Sequence, residues 1–440
     1  MYNFEKYFKV IEKTEPIKTN GKVTQVIGLV LESQGPGASL GELCFVYPNS
    51  GSTRIQAEVV GFKENKILLM PLGDLSGVGP GCEVVATGDS FRVGVGSKLL
   101  GRILDGLGNP LDGKGPVDIE GEYPVNGNVL NPLDRKRICE PLSIGVKAID
   151  GTLTCGKGQR IGIFSGSGVG KSTLLGMVAR NTSADVNVIG LIGERGREVR
   201  EFLEKDLGEE GLKRSVLVVA TSDQPALVRL KGALVATTIA EYFRDLGKNV
   251  MLMMDSVTRF AMSQREVGLA VGEPPATRGY TPSVFAILPK LLERSGTSAA
   301  GTITGLYTVL VDGDDHNEPI ADAVRGILDG HIVLSRDIAM QNHYPAIDIL
   351  ASISRVMIDI VDEDHNKAAN KLRTILATYR DAKDLIDIGA YVAGSNPKID
   401  YAISKIDFVQ QFLKQGVTEN FTYDDAVKLL KALTEERLTA

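Results

Sequence analysis

Basic residues are not in excess here: Lys and Arg total 49 against 55 Asp and Glu, a formal net charge of −6 over 440 residues. A protein whose main task is gripping nucleic acid needs a basic face, so the balance argues against that class. Cysteine is scarce. Cys44, Cys82, Cys139 and Cys155 are dispersed and never fall in a CxxC spacing, which fits a reducing cytoplasm better than a disulfide framework. The first residues, Met1-Tyr2-Asn3-Phe4-Glu5-Lys6, lack the basic-then-apolar order of a secretory signal. No apolar run approaches the roughly 20 residues of a membrane-spanning helix. Membrane contact is therefore expected to be peripheral or through partners. Internal repeats and low-complexity segments are also missing. What remains is ordinary globular composition, 43% apolar and 24% charged, in a chain long enough for two or three domains.

The organisation changes along the chain. Between residues 22 and 93, β-rich stretches at Val23 to Leu31, Glu42 to Tyr47, Arg54 to Phe62 and Lys66 to Met70 are separated by turn residues such as Gln34-Gly35-Pro36-Gly37. Short, evenly spaced strands predict a small β-barrel. A Gly/Pro/Asp-rich connector, Asp105 to Pro132, reads as a system of surface loops. In the middle third, Val186–Ile192, Ser215–Ala220, Asn249–Met254 and Ile303–Val311 are almost wholly apolar, as strands covered on both faces are. Helical patterns lie between them, for example Glu198 to Leu207, and the alternation predicts an α/β parallel sheet. After about residue 357 only helical spacing is left. Leu372, Ile375, Leu376 and Tyr379 form one stripe, and Ile399, Ala402, Ile403, Ile406, Val409 and Leu413 another. A last helix, roughly Tyr423 to Glu436, opens on Thr422 with Asp425 three residues later, a capping pattern.

One stretch carries chemistry directly. An apolar run, Ile161 to Phe164, feeds Gly166-Ser167-Gly168-Val169-Gly170, and Lys171-Ser172-Thr173 opens a helical segment. Strand, glycine-rich turn and helix start make a phosphate loop for a nucleoside triphosphate. Glycines let backbone N–H groups turn inward around phosphate oxygens, and the helix dipole adds to that anion site. Lys171 is expected to reach the β- and γ-phosphates, and Ser172 to hold Mg²⁺. Ser165 stands where the usual pattern opens on Gly.

Two further strands end in charge. Met251-Leu252-Met253-Met254 runs into Asp255, placed to sit beside Mg²⁺ at the tip of a buried strand; the bland alternative is a cap for the next helix, since Ser256 and Thr258 follow. Val188-Ile189-Gly190-Leu191-Ile192-Gly193 runs into Glu194-Arg195. Hydrolysis needs a carboxylate that orients water near the γ-phosphate, which makes Glu194 the candidate base and Arg195 a candidate γ-phosphate contact. An exposed Glu-Arg pair at a helix start is the alternative.

These motifs, with Pro345-Ala346-Ile347-Asp348-Ile349-Leu350-Ala351-Ser352-Ile353-Ser354-Arg355, resemble the catalytic subunits of the rotary F/V-type ATPase superfamily over nearly the whole chain. Leu153 to Phe164, Asp312 to Asp322, Ile327 to Arg336 and Gly272 to Tyr280 resemble its type III protein-export ATPases, and Ala321-Asp322-Ala323-Val324-Arg325-Gly326 is similar to the flagellar branch. The resemblance implies a fold of N-terminal β-barrel (21–93), phosphate-loop parallel-sheet ATPase domain (94–356) and C-terminal helical domain (357–440), after a partner-binding segment at 1–20. It implies ATP and Mg²⁺, a homohexamer, and Arg355 as an arginine finger serving the adjacent subunit. It implies that Tyr344 stacks on adenine, with Val417 where a synthase subunit has a phenylalanine. Implied partners are a stalk-like negative regulator on the N-terminal segment, a central stalk-like protein, export chaperones and substrates, and export-gate membrane proteins. The implied location is cytoplasmic, peripheral to the inner membrane. A synthase catalytic subunit, a virulence injectisome ATPase, a hexameric RNA translocase and a non-catalytic nucleotide-binding subunit remain as alternatives. The 357–440 region is short for a synthase, the barrel lacks a basic-aromatic pattern for RNA, and Glu194 speaks against a non-catalytic subunit.

Overall fold

The computed structural model describes residues 4, 8, 19–49, 51, 53–127, 129–311, 315 and 318–435. The expected partner-binding segment 1–20 falls almost wholly outside the described residues, as do Asp312, Gly313, Asp314, His316, Asn317 and the expected helix end at Glu436. The chain forms two compact units: residues 1–92 with 225–228 and 266–274, and the remainder.

In the first unit, β1 (Gly21–Ile27), β2 (Val30–Gln34), β3 (Glu42–Tyr47), β4 (Ile55–Lys63), β5 (Lys66–Pro71) and β6 (Glu83–Ser90) close a barrel in the order β1-β2-β5-β4-β3-β6. The stretch Val23 to Leu31, read as one β-rich run, is two strands: Gly28 adopts φ +56° and turns the chain between them. Alternate residues face inward, so Val23, Leu31, Cys44, Val46, Ala57, Val59, Leu69 and Val84 make the barrel core.

The second unit is built on a nine-stranded sheet. Its main strands are β7 (Ile103–Asp105), β8 (Arg160–Ser165), β9 (Val186–Ile192), β10 (Ser215–Ala220), β11 (Asn249–Asp255), β12 (Thr302–Leu310), β13 (Gly330–Leu334) and β14 (Ile347–Ser354), in the order β14-β13-β8-β12-β11-β9-β10-β7. All these pairings are parallel except β13 with β14. Every residue of β9 and β10 is buried, which is why those segments read as unbroken apolar runs. The connector after Asp105 is mostly loop but includes a short strand, Gly121–Pro124.

Three helices dominate the C-terminal region: α3 (Glu363–Asp387), α4 (Pro397–Leu413) and α5 (Tyr423–Thr434), numbered after α1 (Lys171–Asn181) and α2 (Val257–Ala270). Side chains of Asp362, Asn396 and Thr422 cap their first turns, and Thr422 with Asp425 closes a capping box. They pack on the short helix Lys147–Thr152, where His365 Nε2 lies 2.7 Å from the Gly151 carbonyl oxygen. Leu372, Ile375, Ala402, Val409, Phe412 and Leu430 join Ile163, Leu174, Ile189 and Met253 in one core. No described helix is long and apolar enough to cross a membrane.

Candidate active site

Parallel pairing brings the C-terminal ends of β8, β9 and β11 to one edge of the sheet. At that edge β8 gives way to the loop Gly166–Gly170 and then to α1. Gly168 and Gly170 have φ of +77° and +92°, backbone that favours glycine. No side chain caps α1, so its first N–H groups face the loop. Ser167 and Gly168 are exposed, while Gly166 and Val169 are buried. Ser165, at the position of the departed glycine, is buried, and its Oγ has no hydrogen-bond partner.

Lys171, the first residue of α1, turns to the two strand-terminal carboxylates. Its Nζ lies 2.5 Å from Asp255 Oδ1 and 3.6 Å from Glu194 Oε1. Burial works against the charged ammonium, but the two carboxylates outweigh it and hold its pKa above the ordinary range. Asp255 also accepts a 2.7 Å hydrogen bond from Thr308 Oγ1 on β12. It does not cap α2; Ser256 Oγ does, accepting from the Arg259 N–H. Glu194 is different. Its Oε1 is buried with no hydrogen-bond partner. Burial first, then the Asp255 carboxylate, push its carboxyl up to about 7 against the pull of Lys171. One carboxylate is thus paired with a cation and a hydroxyl. The other is poised to exchange a proton near neutral pH.

Tyr344 reaches the same edge. A Cβ added to Gly170 would stand 3.6 Å from its ring, ordinary van der Waals contact, so the ring lies against the phosphate loop. The Tyr344 carbonyl accepts from the Gln415 N–H at 3.0 Å. Val417, 44% exposed, follows two residues on, with its carbonyl held by Arg180 of α1. Ser172 is exposed at the helix start, and Thr173 hydrogen-bonds Asp206.

Two expected residues are not gathered into this cluster. The Arg195 side chain is 79% exposed and pairs with Glu198 at 3.4 Å. Arg355 lies at the opposite edge of the sheet. Ser354 pairs with Gly330, which is level with Ile161, whereas Ile347 pairs with Leu334, level with Ser165. Four strand residues separate these levels, about 13 Å at ~3.3 Å each. Arg355 is exposed, and its guanidinium makes no ion pair with a described residue.

Arg259 and Thr308 escaped the sequence reading. The Arg259 side chain packs over Gly193, where an added Cβ would meet its Cβ, Cγ and Cδ at 2.8 to 3.3 Å. Its Nε is buried without a partner, beside the strand end that carries Glu194. A cation so placed suits an incoming anion. The available signal was an Arg one turn after the strand-terminal Asp255.

Comparison with known proteins follows this layout. The family model of the ATP synthase alpha/beta β-barrel domain matches residues 23–88, that of the nucleotide-binding domain matches 145–354, and that of the type III secretion EscN ATPase C-terminal domain matches 361–432. The flagellum-specific ATP synthase of Bacillus subtilis is 59% identical over 96% of this chain and 97% of its own length. The type 3 secretion system ATPase of Xanthomonas euvesicatoria is 51% identical over 94% of each chain. The chain belongs to the ATP synthase alpha/beta family, in its branch of flagellum-specific and type III secretion ATPases. An assembled ATPase of this branch, EscN of enteropathogenic E. coli in complex with its central stalk EscO, superposes with TM-score 0.87 at 47% identity, covering 94% of this chain and 100% of that one.

As a member of this family the chain takes a nucleotide, and the site fits one. Uncapped helix N–H groups, glycines open to close approach, a lysine and an arginine whose buried Nε has no hydrogen-bond partner surround one sheet edge. Among the described residues no group of three or more His, Cys, Asp or Glu could hold a metal alone. The Ser172 hydroxyl and the Asp255 carboxylate are oxygen donors of the kind that would hold Mg²⁺.

Proposed function

We propose that this chain is the ATPase of a flagellar type III export apparatus, hydrolysing ATP to ADP and phosphate in a homohexameric ring whose sites are each completed by the adjacent protomer. Glu194 carries the reading: a carboxylate with a buried oxygen that accepts no hydrogen bond, poised near pH 7, 3.6 Å from the lysine of a phosphate loop. A subunit that only held nucleotide has no use for such a group. Three flagellum-specific proteins, at 59%, 53% and 52% identity, stand above the 51% of a secretion ATPase, which favours the flagellar system, while three others fall at 46–48%.

In this reading N–H groups of residues 166–173 cradle the phosphates, and Lys171 exchanges its carboxylate partners for β- and γ-phosphate oxygens. Ser172 and Asp255 hold Mg²⁺, which supplies charge neutralisation at those oxygens. Glu194 orients water and takes its proton. Arg259 and Arg195 meet the γ-phosphate, Arg195 by turning inward from Glu198. The adenine stacks on Tyr344; Val417, lacking an aromatic face, leaves base selectivity loose. Arg355, remote from its own chain's phosphate loop, serves the neighbour's site as an arginine finger, worth roughly 10³–10⁵ in rate.

The division of labour we propose keeps 1–20 for a stalk-like negative regulator, 21–93 for the barrel, 94–356 for catalysis and 357–440 for the C-terminal helical domain, with a central stalk-like protein as a further partner of the ring. Chaperones and their export substrates approach the ring in the cytoplasm, where it sits peripherally on the inner membrane at export-gate proteins. Sites shared between chains make turnover per chain rise with protein concentration and level off once rings are complete. Turnover independent of dilution across the assembly range would contradict the proposal.

A further inference from the structure

The exposed Arg355 stands on a closely bonded base. Its N–H donates to the Asp329 carbonyl at 3.0 Å. The Asp329 carboxylate is gripped by Arg160, the first residue of β8, through Nε at 3.0 Å, Nη2 at 3.1 Å and the backbone N–H at 3.1 Å. Arg160 is braced in turn by Glu293, with Nη1 2.5 Å from Oε1. Beneath them, Gln159 is fully buried. Its Nε2 donates to Ser354 Oγ at 3.0 Å and to the Asp329 carbonyl at 3.3 Å. Ser354 Oγ donates onward to the Thr154 carbonyl at 2.8 Å.

We infer that Asp329, clamped by Arg160 and supported by Gln159, is a positioning residue that aims Arg355 into the adjacent protomer's site. This rests on the proposed role of Arg355 as a finger acting between chains. No carboxylate among the described residues pairs with the guanidinium, so the backbone beneath it sets its direction. A two-pronged arginine–carboxylate grip fixes direction as well as distance, which a single-point contact cannot. The same strand, β8, carries the phosphate loop at its far end. One strand therefore bears a protomer's own nucleotide site at one end and the mount of its neighbour's finger at the other.

The test uses full-length protein in assembled rings. Asp329→Asn keeps the backbone carbonyl and the side-chain size but loosens the Arg160 grip. It is expected to lower kcat roughly 10- to 100-fold, as small misplacements of catalytic groups do, with KM for ATP unchanged. Arg160→Lys, which keeps the charge and loses the fork, should behave alike and stands in if Asp329→Asn fails to assemble. Asp329→Asn combined with Arg355→Ala should be no slower than Arg355→Ala alone. Mixing Asp329→Asn chains with Lys171→Ala chains, whose own sites are dead but whose fingers are intact, should restore turnover to the Asp329→Asn sites. A structural defect within a protomer would not be repaired this way. Unchanged kcat, additive losses in the double variant, or failure of Lys171→Ala chains to rescue Asp329→Asn while they do rescue Arg355→Ala would overturn the inference and leave the finger standing. An Arg355→Ala protein with undiminished turnover would overturn the finger itself.

Discussion

Replacing Glu194 by Gln should strengthen the fold and ruin the catalyst. The Glu194 carboxyl sits near 7 rather than at its ordinary 4.5, chiefly because burial strips it of water. At 1.36 kcal/mol per pH unit, ionising it in the folded chain costs about 3 kcal/mol more than in the unfolded chain. The folded state therefore holds more protons between those two values. Stability falls as pH rises through that window and is level above it. Gln is neutral throughout, and Lys171 keeps its 2.5 Å partner Asp255. Wild type and variant should match near pH 4.5, and by about pH 8 the variant should be more stable by up to ~3 kcal/mol. Urea unfolding of the nucleotide-free chain, followed by far-UV circular dichroism because the chain has no tryptophan, measures the difference at each pH. Turnover of the assembled variant should drop by roughly 10²–10⁴, the usual worth of a general base. A stability difference that does not vary between about pH 5 and 8 would refute the desolvated-carboxylate argument. Intact turnover would refute the base.

Tyr344→Ala removes a stacking face, worth ~1–3 kcal/mol per base, and should raise KM for ATP about 5- to 150-fold with little change in kcat; steady-state kinetics showing the reverse split would exclude an adenine contact. Thr308→Val takes away the 2.7 Å donor to buried Asp255 and should cost about 1.5–3 kcal/mol in urea unfolding, the range for hydrogen bonds to charged groups. His365 is buried between the Gly151 carbonyl and the Tyr423 hydroxyl, and burial lowers its pKa. The unfolded chain then binds a proton that the folded chain refuses, so stability present above pH ~6.5 should be lost as pH falls below it. Melting temperatures of wild type and His365→Gln between about pH 5 and 7 should converge on acidification; parallel curves would show that His365 is not the group responsible.

The parts of the molecule legible in the sequence are those where local chemistry decides. Val186–Ile192 and Ser215–Ala220 matched their strands to the residue, because burial on both faces leaves no polar position to blur the ends. The phosphate loop and the Thr422–Asp425 cap were legible for the same reason: backbone geometry there is set by residues adjacent in sequence. The turn at Gly28 was not, since Ile27-Gly28-Leu29-Val30 keeps apolar residues on both sides of the glycine and nothing polar marks the break. The pairing of Lys171 with Asp255 and Glu194 depends on strand order, which periodicity does not encode. Arg259 was missed because its value comes from packing over Gly193, a contact 66 positions apart in the chain. Arg195 was expected from its place at a strand end and Arg355 from a resemblance, and both are exposed here, as side chains are whose proposed partners lie in an incoming nucleotide and a neighbouring protomer.

Mixing two inactive proteins tests the central claim most directly. Lys171→Ala chains keep Arg355 but lose their own phosphate contact; Arg355→Ala chains keep an intact phosphate loop but give their neighbours no finger. If each site is built by two protomers, rings assembled from an equal mixture should hydrolyse ATP far faster than rings of either parent. Mixed rings no faster than the average of the two parents would contradict the account.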